Sequence, residues 1–349
     1  MASPVLPAPA LDKTARHLLL QAQELVVPAL RDWATRLPGS LAALAGYHLG
    51  WRDEQGRPTA GPPPGKAIRP ALAFSCAEAV GGTRADAVGA AVAVELAHNF
   101  SLIHDDVIDG DELRRHRPAL WAQFGVPAAL LGGDALLTQA LRVLADTRAD
   151  EAGRSVCVLA AAVLELIEGE ALDTAFERRS DVTVAAYTAM AVGKTGALMG
   201  AACALGALAG DADEARAGHL ARFGRRIGVA FQITDDLLGV FGDPAVTGKP
   251  VGSDLTSRKK THPVLAAIGS RTTAGDQLAK LYAQADPLDE AQVREAVALV
   301  DRAGGRRLSQ RAATFELERA FAELSAADPD PTAVADLTAL AHLITHRSS

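Results

Sequence analysis

Residues 99–121 read NFSLIHDDVIDGDELRRHRPALW: an apolar run, three aspartates within five residues (Asp105, Asp106 and Asp109), then the pair Arg114 and Arg115. Asp105 and Asp109 are four apart, so on a helix their carboxylates leave one face, while Asp106 is turned about 100° away. Two carboxylates on one face repel unless a cation lies between them. Hard oxygen ligands in small number suit Mg²⁺, which keeps several waters and shares its shell with substrate phosphates. Taken alone, the stretch reads first as a solvated acidic helix end.

Outward from this segment the chain has 349 residues, is 49% hydrophobic with Ala-rich runs, and is only 4% aromatic, which favours an all-α fold. Helical patterns run from Leu11 to Leu37, Lys66 to Val80, Asp86 to Asp109, Pro127 to Thr147, Glu151 to Phe176, Val182 to Ala209 and Asp213 to Val240, with more beyond Pro263. No run alternates as a strand would. The expected organisation is a disordered tail over 1–10 and one all-helical domain over 11–349, with loops at 51–65 and 241–263.

The apolar stretch Thr195–Gly210 has 16 residues, short of the roughly 20 needed to span a bilayer. It reads as a buried helix, so no membrane span is expected. The opening MASPVLPAPA has neither a basic region nor a continuous apolar run, and so does not read as a signal peptide. Cys76, Cys157 and Cys203 lie far apart, giving no disulfide framework or metal pair and fitting a reducing cytoplasm. A formal charge of −7 argues against a nucleic-acid partner.

A second acidic cluster, FQITDDLLGVFGD (231–243), again follows an apolar helix. Paired acidic helix ends are costly to bury without cations, which points to a cavity shared by several metal ions. Basic residues recur beside Gly, Pro or acidic motifs: GKAIRP (Lys66, Arg69), LRRHRP (Arg114, Arg115, Arg117), GKTG (Lys194) and TGKPVGSD (Lys249). Arginine forks grip phosphate oxygens bidentately and lysine supplies a point charge, so acid, metal and base together suggest a diphosphate substrate. VGKTG is not a nucleotide-binding loop, because Thr188 stands where the first glycine belongs and a helix precedes it.

The order GKxxRP, DDxxD followed by RR, KT, FQxxDD and GKPxGSD, over Lys66 to Pro263, resembles the trans-type isoprenyl diphosphate synthases, in particular short-chain geranylgeranyl diphosphate synthases of actinobacterial type. The resemblance implies an isoprenoid-synthase-type helical bundle around a deep central cavity, a homodimer, and three Mg²⁺ ions bridging both acidic motifs to an allylic diphosphate. Asp105 and Asp109 would ligate metal with Asp106 in support, and Asp235 would be the main ligand of the second motif. Arg114, Lys194 and Lys249 would hold the allylic diphosphate (dimethylallyl, geranyl or farnesyl). Lys66, Arg69, His98 and Arg115 would hold isopentenyl diphosphate, and Thr195 and Gln232 would face the carbocation. The implied reaction is ionisation, attack by the isopentenyl double bond and proton loss.

Phe100 and Ser101, five and four residues before Asp105, would line the cavity, with Phe100 as the floor that stops the chain at twenty carbons rather than fifteen or more than twenty. The pattern departs from the family at Gly239, where a third aspartate is usual, and Asp243 is the expected compensation. That departure keeps two alternatives open: a class I terpene cyclase, and a weakly catalytic regulatory subunit. AGYHLGW (45–51) and the loop after it are similar to actinobacterial members, some of them associated with carotenoid pathways or with packaging inside encapsulin shells, and the short Pro/Ala tail lends some support to packaging. His104 reads as structural, and SRKK (257–260) as a solvated loop face or a lid over diphosphate.

Overall fold

Low β-branched content and frequent alanine make helices of nearly all of the segments above. A computed structural model describes residues 8–59, 65–147, 149–242, 252–284 and 287–345. The helices are α1 (Ala8–Thr35), α2 (Gly39–His48), α3 (Ile68–Ala79), α4 (Val88–Asp109), α5 (Leu120–Phe124), α6 (Val126–Ala145), α7 (Ala149–Phe176), α8 (Val184–Ala191), α9 (Ala197–Ala209), α10 (Glu214–Phe241), α11 (Ser253–Thr256), α12 (His262–Ile268), α13 (Thr273–Tyr282), α14 (Glu290–Arg302), α15 (Gly305–Ala326) and α16 (Pro331–Thr345).

The chain divides into two compact units, Met1–Val163 with Ala201–Ala221 and Ala327–Leu340, and Leu164–Gly200 with Arg222–Ala326 and Ala341–Ser349. In the first unit α4 is the central helix, packed on α1, α3 and α6. Ala90–Val94, Leu96 and Ala97 are buried on every side of it, as a core helix requires. The helix stops after Asp109 because Gly110 adopts the left-handed conformation (φ 69°) that closes helices. In the second unit Val240, Leu255, Val264, Leu278, Leu299 and Val300 form one buried cluster. Phe176, Tyr187, Met190, Val229 and Ile233 form another, beneath the second acidic motif.

Several expectations need correction. Helix α1 begins at Ala8, inside the span read as tail, and the tail residues 1–7 lie outside the described part. Helix α2 was not anticipated. The chain does contain strands: Leu113–Arg114 (β1) and Arg117–Pro118 (β2) form a minimal antiparallel hairpin. The 241–263 loop holds α11 and the start of α12, while 243–251, with Lys249 and Asp243, lies outside the described residues. Val126–Ala145 and Val184–Ala209 are both long and apolar enough to cross a membrane by composition; the second is 89% buried within the protein and the first 50%.

Small residues set the spacing of the first unit. A Cβ placed on Gly206 of α9 would lie 2.7 Å from both Cα and C of Ala73 in α3. Gly206→Ala is therefore expected to destabilise the protein by about 1–3 kcal/mol through overpacking, read as a lower chemical-denaturation midpoint. An unchanged midpoint would contradict this close approach.

Candidate active site

The first acidic motif occupies the last turn of α4. Asp105 is half-buried, Asp109 is exposed, and Asp106 turns inward to 1% exposure. Arg114, from β1, donates to Oδ1 of Asp106 through Nε at 2.9 Å and through Nη2. Burial pushes the Asp106 carboxyl above its ordinary value, against the pull of Arg114. Burial also works against the charge on Arg114, and Asp106 more than offsets it. The guanidinium thus stays charged. Oδ2 of Asp106 is buried with no hydrogen-bond partner among the described residues.

The hairpin turns through Arg115 (φ 53°) and His116 (φ 62°), two non-glycine residues in the left-handed region that such a two-residue turn demands. Each costs of order 1 kcal/mol or more and persists only because the surroundings hold it. Those surroundings are visible: Arg117 donates to the carbonyls of Tyr47 at 3.2 Å and Arg52 at 3.0 Å, and Tyr47 donates to the carbonyl of Pro118 at 3.0 Å. Ala67, inside GKAIRP, is strained in the same way (φ 51°). Gly65 brings that loop to Arg115: a Cβ on it would lie 3.6 Å from Nη2.

The basic residues of both stretches meet one carboxylate, Glu95, whose burial raises its pKa against the opposing charges of Arg69 and Arg115. Burial in turn lowers Arg69 and Arg115, and Glu95 opposes that. Nε of Arg69 is buried and has no acceptor among the described residues. Burial foremost, then the arginines, holds His98 well below its ordinary value, so it is a neutral ring offering a hydrogen bond. His48 is also neutral, its pKa lowered to about 3 by burial and Arg115, with Nε2 3.1 Å from Oδ1 of Asn99. Lys66 is exposed beside this group. Of the expected cavity residues, Phe100 is buried edge-on to His104 at 4.7 Å between centroids, and Ser101 donates to the carbonyl of His98 at 2.9 Å. His104 also lies 3.3 Å from the carbonyl of Leu130.

In the second unit the sequence VGKTG forms a single π-helical turn, Val192–Gly196, between α8 and α9. Its glycines serve close helix packing: a Cβ on Gly193 would lie 3.1 Å from Cα of Gly169 in α7. Such turns cluster at functional sites. The turn delivers Lys194 to two carboxylates of α7, Asp173 at 2.6 Å and Glu170 at 2.7 Å. Burial opposes the lysine charge, and Asp173 and Glu170 together raise its pKa above the ordinary lysine range.

The same turn points Thr195 at α10, where its hydroxyl donates to Oε1 of Gln232 at 2.7 Å. Gln232 donates onward to Asp236 at 3.2 Å, and Asp236 accepts the backbone N–H of His262 at 2.8 Å. Burial foremost raises Asp236 to about 6. As in the first pair, one aspartate is folded inward, while Asp235 stays half-buried. Lys259, read from sequence as loop face, instead approaches Asp173 at 3.8 Å.

The donors fit Mg²⁺. Among the described residues no three His, Cys, Asp or Glu side chains converge into a ready-made cage. The carboxylates of Asp105 and Asp109, on adjacent turns of α4, suit an ion that takes few protein ligands and fills its shell with water and phosphate. Sequence reasoning missed Glu95, Glu170, Asp173, Asp236, His48 and Lys259. Pairs such as Glu170 and Asp173, three apart on a helix, look like any solvated face until their lysine is placed.

A family model described as polyprenyl synthetase matches residues 60–300. The chain is 46% identical over 334 residues to the geranylgeranyl diphosphate synthase of Mycobacterium tuberculosis, covering 95% of this chain and 94% of that one. It is 43% identical over 349 residues to the (2E,6E)-farnesyl diphosphate synthase of Mycobacterium bovis, covering 98% and 97%. The crystal structure of a polyprenyl synthetase from Streptomyces coelicolor superposes with a TM-score of 0.89 at 41% identity, over 95% of this chain and 99% of that one.

The buried histidines give a pH signature. His262, 4% exposed with Nδ1 2.7 Å from the Ser309 hydroxyl, is lowered to about 4 by burial. Because the folded pKa lies below the unfolded one, its contribution is complete above about pH 6.5 and is lost as pH falls toward 4, at up to about 1.4 kcal/mol per pH unit. Asp236, raised to about 6, acts oppositely: in its window, stability rises on acidification. The histidine term is therefore read by difference. Urea midpoints followed from pH 7 to 4.5 should fall less steeply for His262→Gln than for the wild type; parallel slopes would refute the assignment.

Proposed function

This chain belongs to the polyprenyl synthetase family, and from that membership we propose that it condenses isopentenyl diphosphate with an allylic diphosphate to make geranylgeranyl diphosphate. It is a prenyltransferase of the trans type. The observation that carries the reading is the basic cluster beside the first acidic motif, where Nε of Arg69 is buried with no acceptor among the described residues and Arg115 is held in a strained turn. Buried donors in that state call for an anion.

In this reading Arg69, Arg115, Lys66 and neutral His98 hold the diphosphate of the isopentenyl substrate. Arg114 and Lys194, with Lys249 outside the described residues, hold the allylic diphosphate. Asp105, Asp109 and Asp235 are the Mg²⁺ ligands, with three ions in the loaded enzyme. When bound, Mg²⁺ stabilises charge on the diphosphate as it leaves. Fixed positive charge of the kind Arg114 and Lys194 each carry stabilises a leaving diphosphate. The Thr195 hydroxyl and the Gln232 amide, locked together, present oxygen dipoles to the allylic cation. The isopentenyl double bond attacks that cation, and the proton lost from the new chain passes to the released pyrophosphate.

Phe100 is proposed as the floor of the chain cavity, its ring fixed by burial and by His104. The protein is further proposed to act as a cytoplasmic homodimer. Support for the dimer is the apolar surface of α6, where Val126 is 41%, Leu130 42% and Leu131 59% exposed.

Purified protein given isopentenyl diphosphate with dimethylallyl, geranyl or farnesyl diphosphate should form a twenty-carbon diphosphate only when Mg²⁺ is present, as read by mass spectrometry. A fifteen-carbon end product would replace the product assignment with the farnesyl one. A cyclic hydrocarbon from an allylic diphosphate alone would overturn chain elongation. Phe100→Ala should lengthen the products, because removing the ring deepens an apolar pocket; an unchanged distribution would reject the floor.

A further inference from the structure

The hairpin that presents Arg115 is fastened on both of its strands. On β1, Arg114 is tied to Asp106 of α4, with Nε 2.9 Å from Oδ1. On β2, Arg117, the residue opposite Arg114, lays its guanidinium 4.4 Å from the centre of the Tyr47 ring and donates to the carbonyls of Tyr47 and Arg52. Arg115 lies between these two anchors, in the left-handed turn (φ 53°). A strained tip keeps one conformation only while its surroundings hold it.

The second anchor is built by the AGYHLGW stretch (45–51), to which no substrate contact is assigned. Helix α2 ends at His48, and the carbonyl of Gly46 then accepts from the N–H groups of Trp51 at 2.8 Å and Arg52 at 3.1 Å, folding the chain back. That reversal sets the carbonyls of Tyr47 and Arg52 before one guanidinium. It needs a glycine at 46, where a Cβ would lie 2.9 Å from Cδ of Arg52. Tyr47 is 4% exposed, its ring is edge-on to Phe124 at 4.9 Å, and its hydroxyl donates to the Pro118 carbonyl at 3.0 Å, so the ring is a fixed platform. Arginine suits such a seat because its planar fork reaches two acceptors while its face stacks on the ring; lysine has the charge without the fork.

We propose that Arg117, seated on Tyr47, is a positioning residue that holds Arg115 where it grips the diphosphate of isopentenyl diphosphate. The inference rests on the reading of Arg115 as a ligand of that substrate. Because Arg114 has its own anchor in Asp106, loosening Arg117 disturbs the isopentenyl subsite and spares the allylic one. A residue needed only for folding would weaken both substrates together.

Steady-state rates of the full chain, with each substrate varied at a saturating level of the other, test this. Arg117→Lys keeps the charge and loses the fork; it should raise KM for isopentenyl diphosphate by about tenfold and leave KM for the allylic diphosphate at the wild-type value. Tyr47→Phe keeps the ring and removes only the hydroxyl bond to Pro118, so it should move the same KM in the same direction by less. Arg115→Gln is the reference for the subsite itself. A raised isopentenyl KM in Arg115→Gln with a wild-type one in Arg117→Lys overturns the positioning role and leaves the proposed function standing. Equal rises of both KM values in Arg117→Lys overturn it as well. If Arg117→Lys does not fold, Tyr47→Phe decides, and an unchanged isopentenyl KM there overturns the role. A wild-type isopentenyl KM in Arg115→Gln overturns the assignment of Arg115 and this inference with it.

Discussion

The buried pair of Arg114 and Asp106 is the constraint on which the first half of the site depends. A carboxylate at 1% exposure cannot stay charged without a partner, and a guanidinium on a two-residue strand cannot stay placed without one. Their bond ties the hairpin to the end of α4, and the hairpin carries Arg115 at its tip. The second acidic motif obeys the same rule. Asp236 is turned inward into hydrogen bonds from Gln232 and His262, while Asp235 remains nearer the surface. In each Asp-Asp pair one carboxylate is turned into the fold and its neighbour lies nearer the surface.

Strain and close packing mark the same places. Ala67, Arg115 and His116 all have positive φ, and they flank the residues assigned to diphosphate. The π turn at Val192–Gly196 aims Lys194 at α7 and Thr195 at α10. Its glycines let backbone approach backbone, and the carboxylates of α7 hold the lysine charged.

Much of this was legible in the sequence. Helical periodicity located most helices to within a few residues, and the order of the motifs identified the family before any coordinates. The structure brings Arg69, Arg115 and His98 within electrostatic reach of one another, and Thr195 and Gln232 into one hydrogen bond beside Lys194. What was hidden follows from physics that spacing does not carry. Strands of two residues are too short to alternate, and a π turn differs from an α turn by one hydrogen-bond step. Glu95, Glu170 and Asp173 sit on helices with ordinary polar spacing, so only the approach of an arginine or lysine from elsewhere reveals their use.

The central claim is the division of labour within the first Asp-Asp pair, and it is tested most directly by the Mg²⁺ concentration that gives half-maximal turnover in three isosteric variants. The account predicts that Asp105→Asn and Asp109→Asn raise that concentration, whereas Asp106→Asn lowers thermal stability and turnover through Arg114 and leaves the Mg²⁺ requirement where it was. An Asp106→Asn enzyme whose Mg²⁺ requirement rises as far as that of the other two would contradict it.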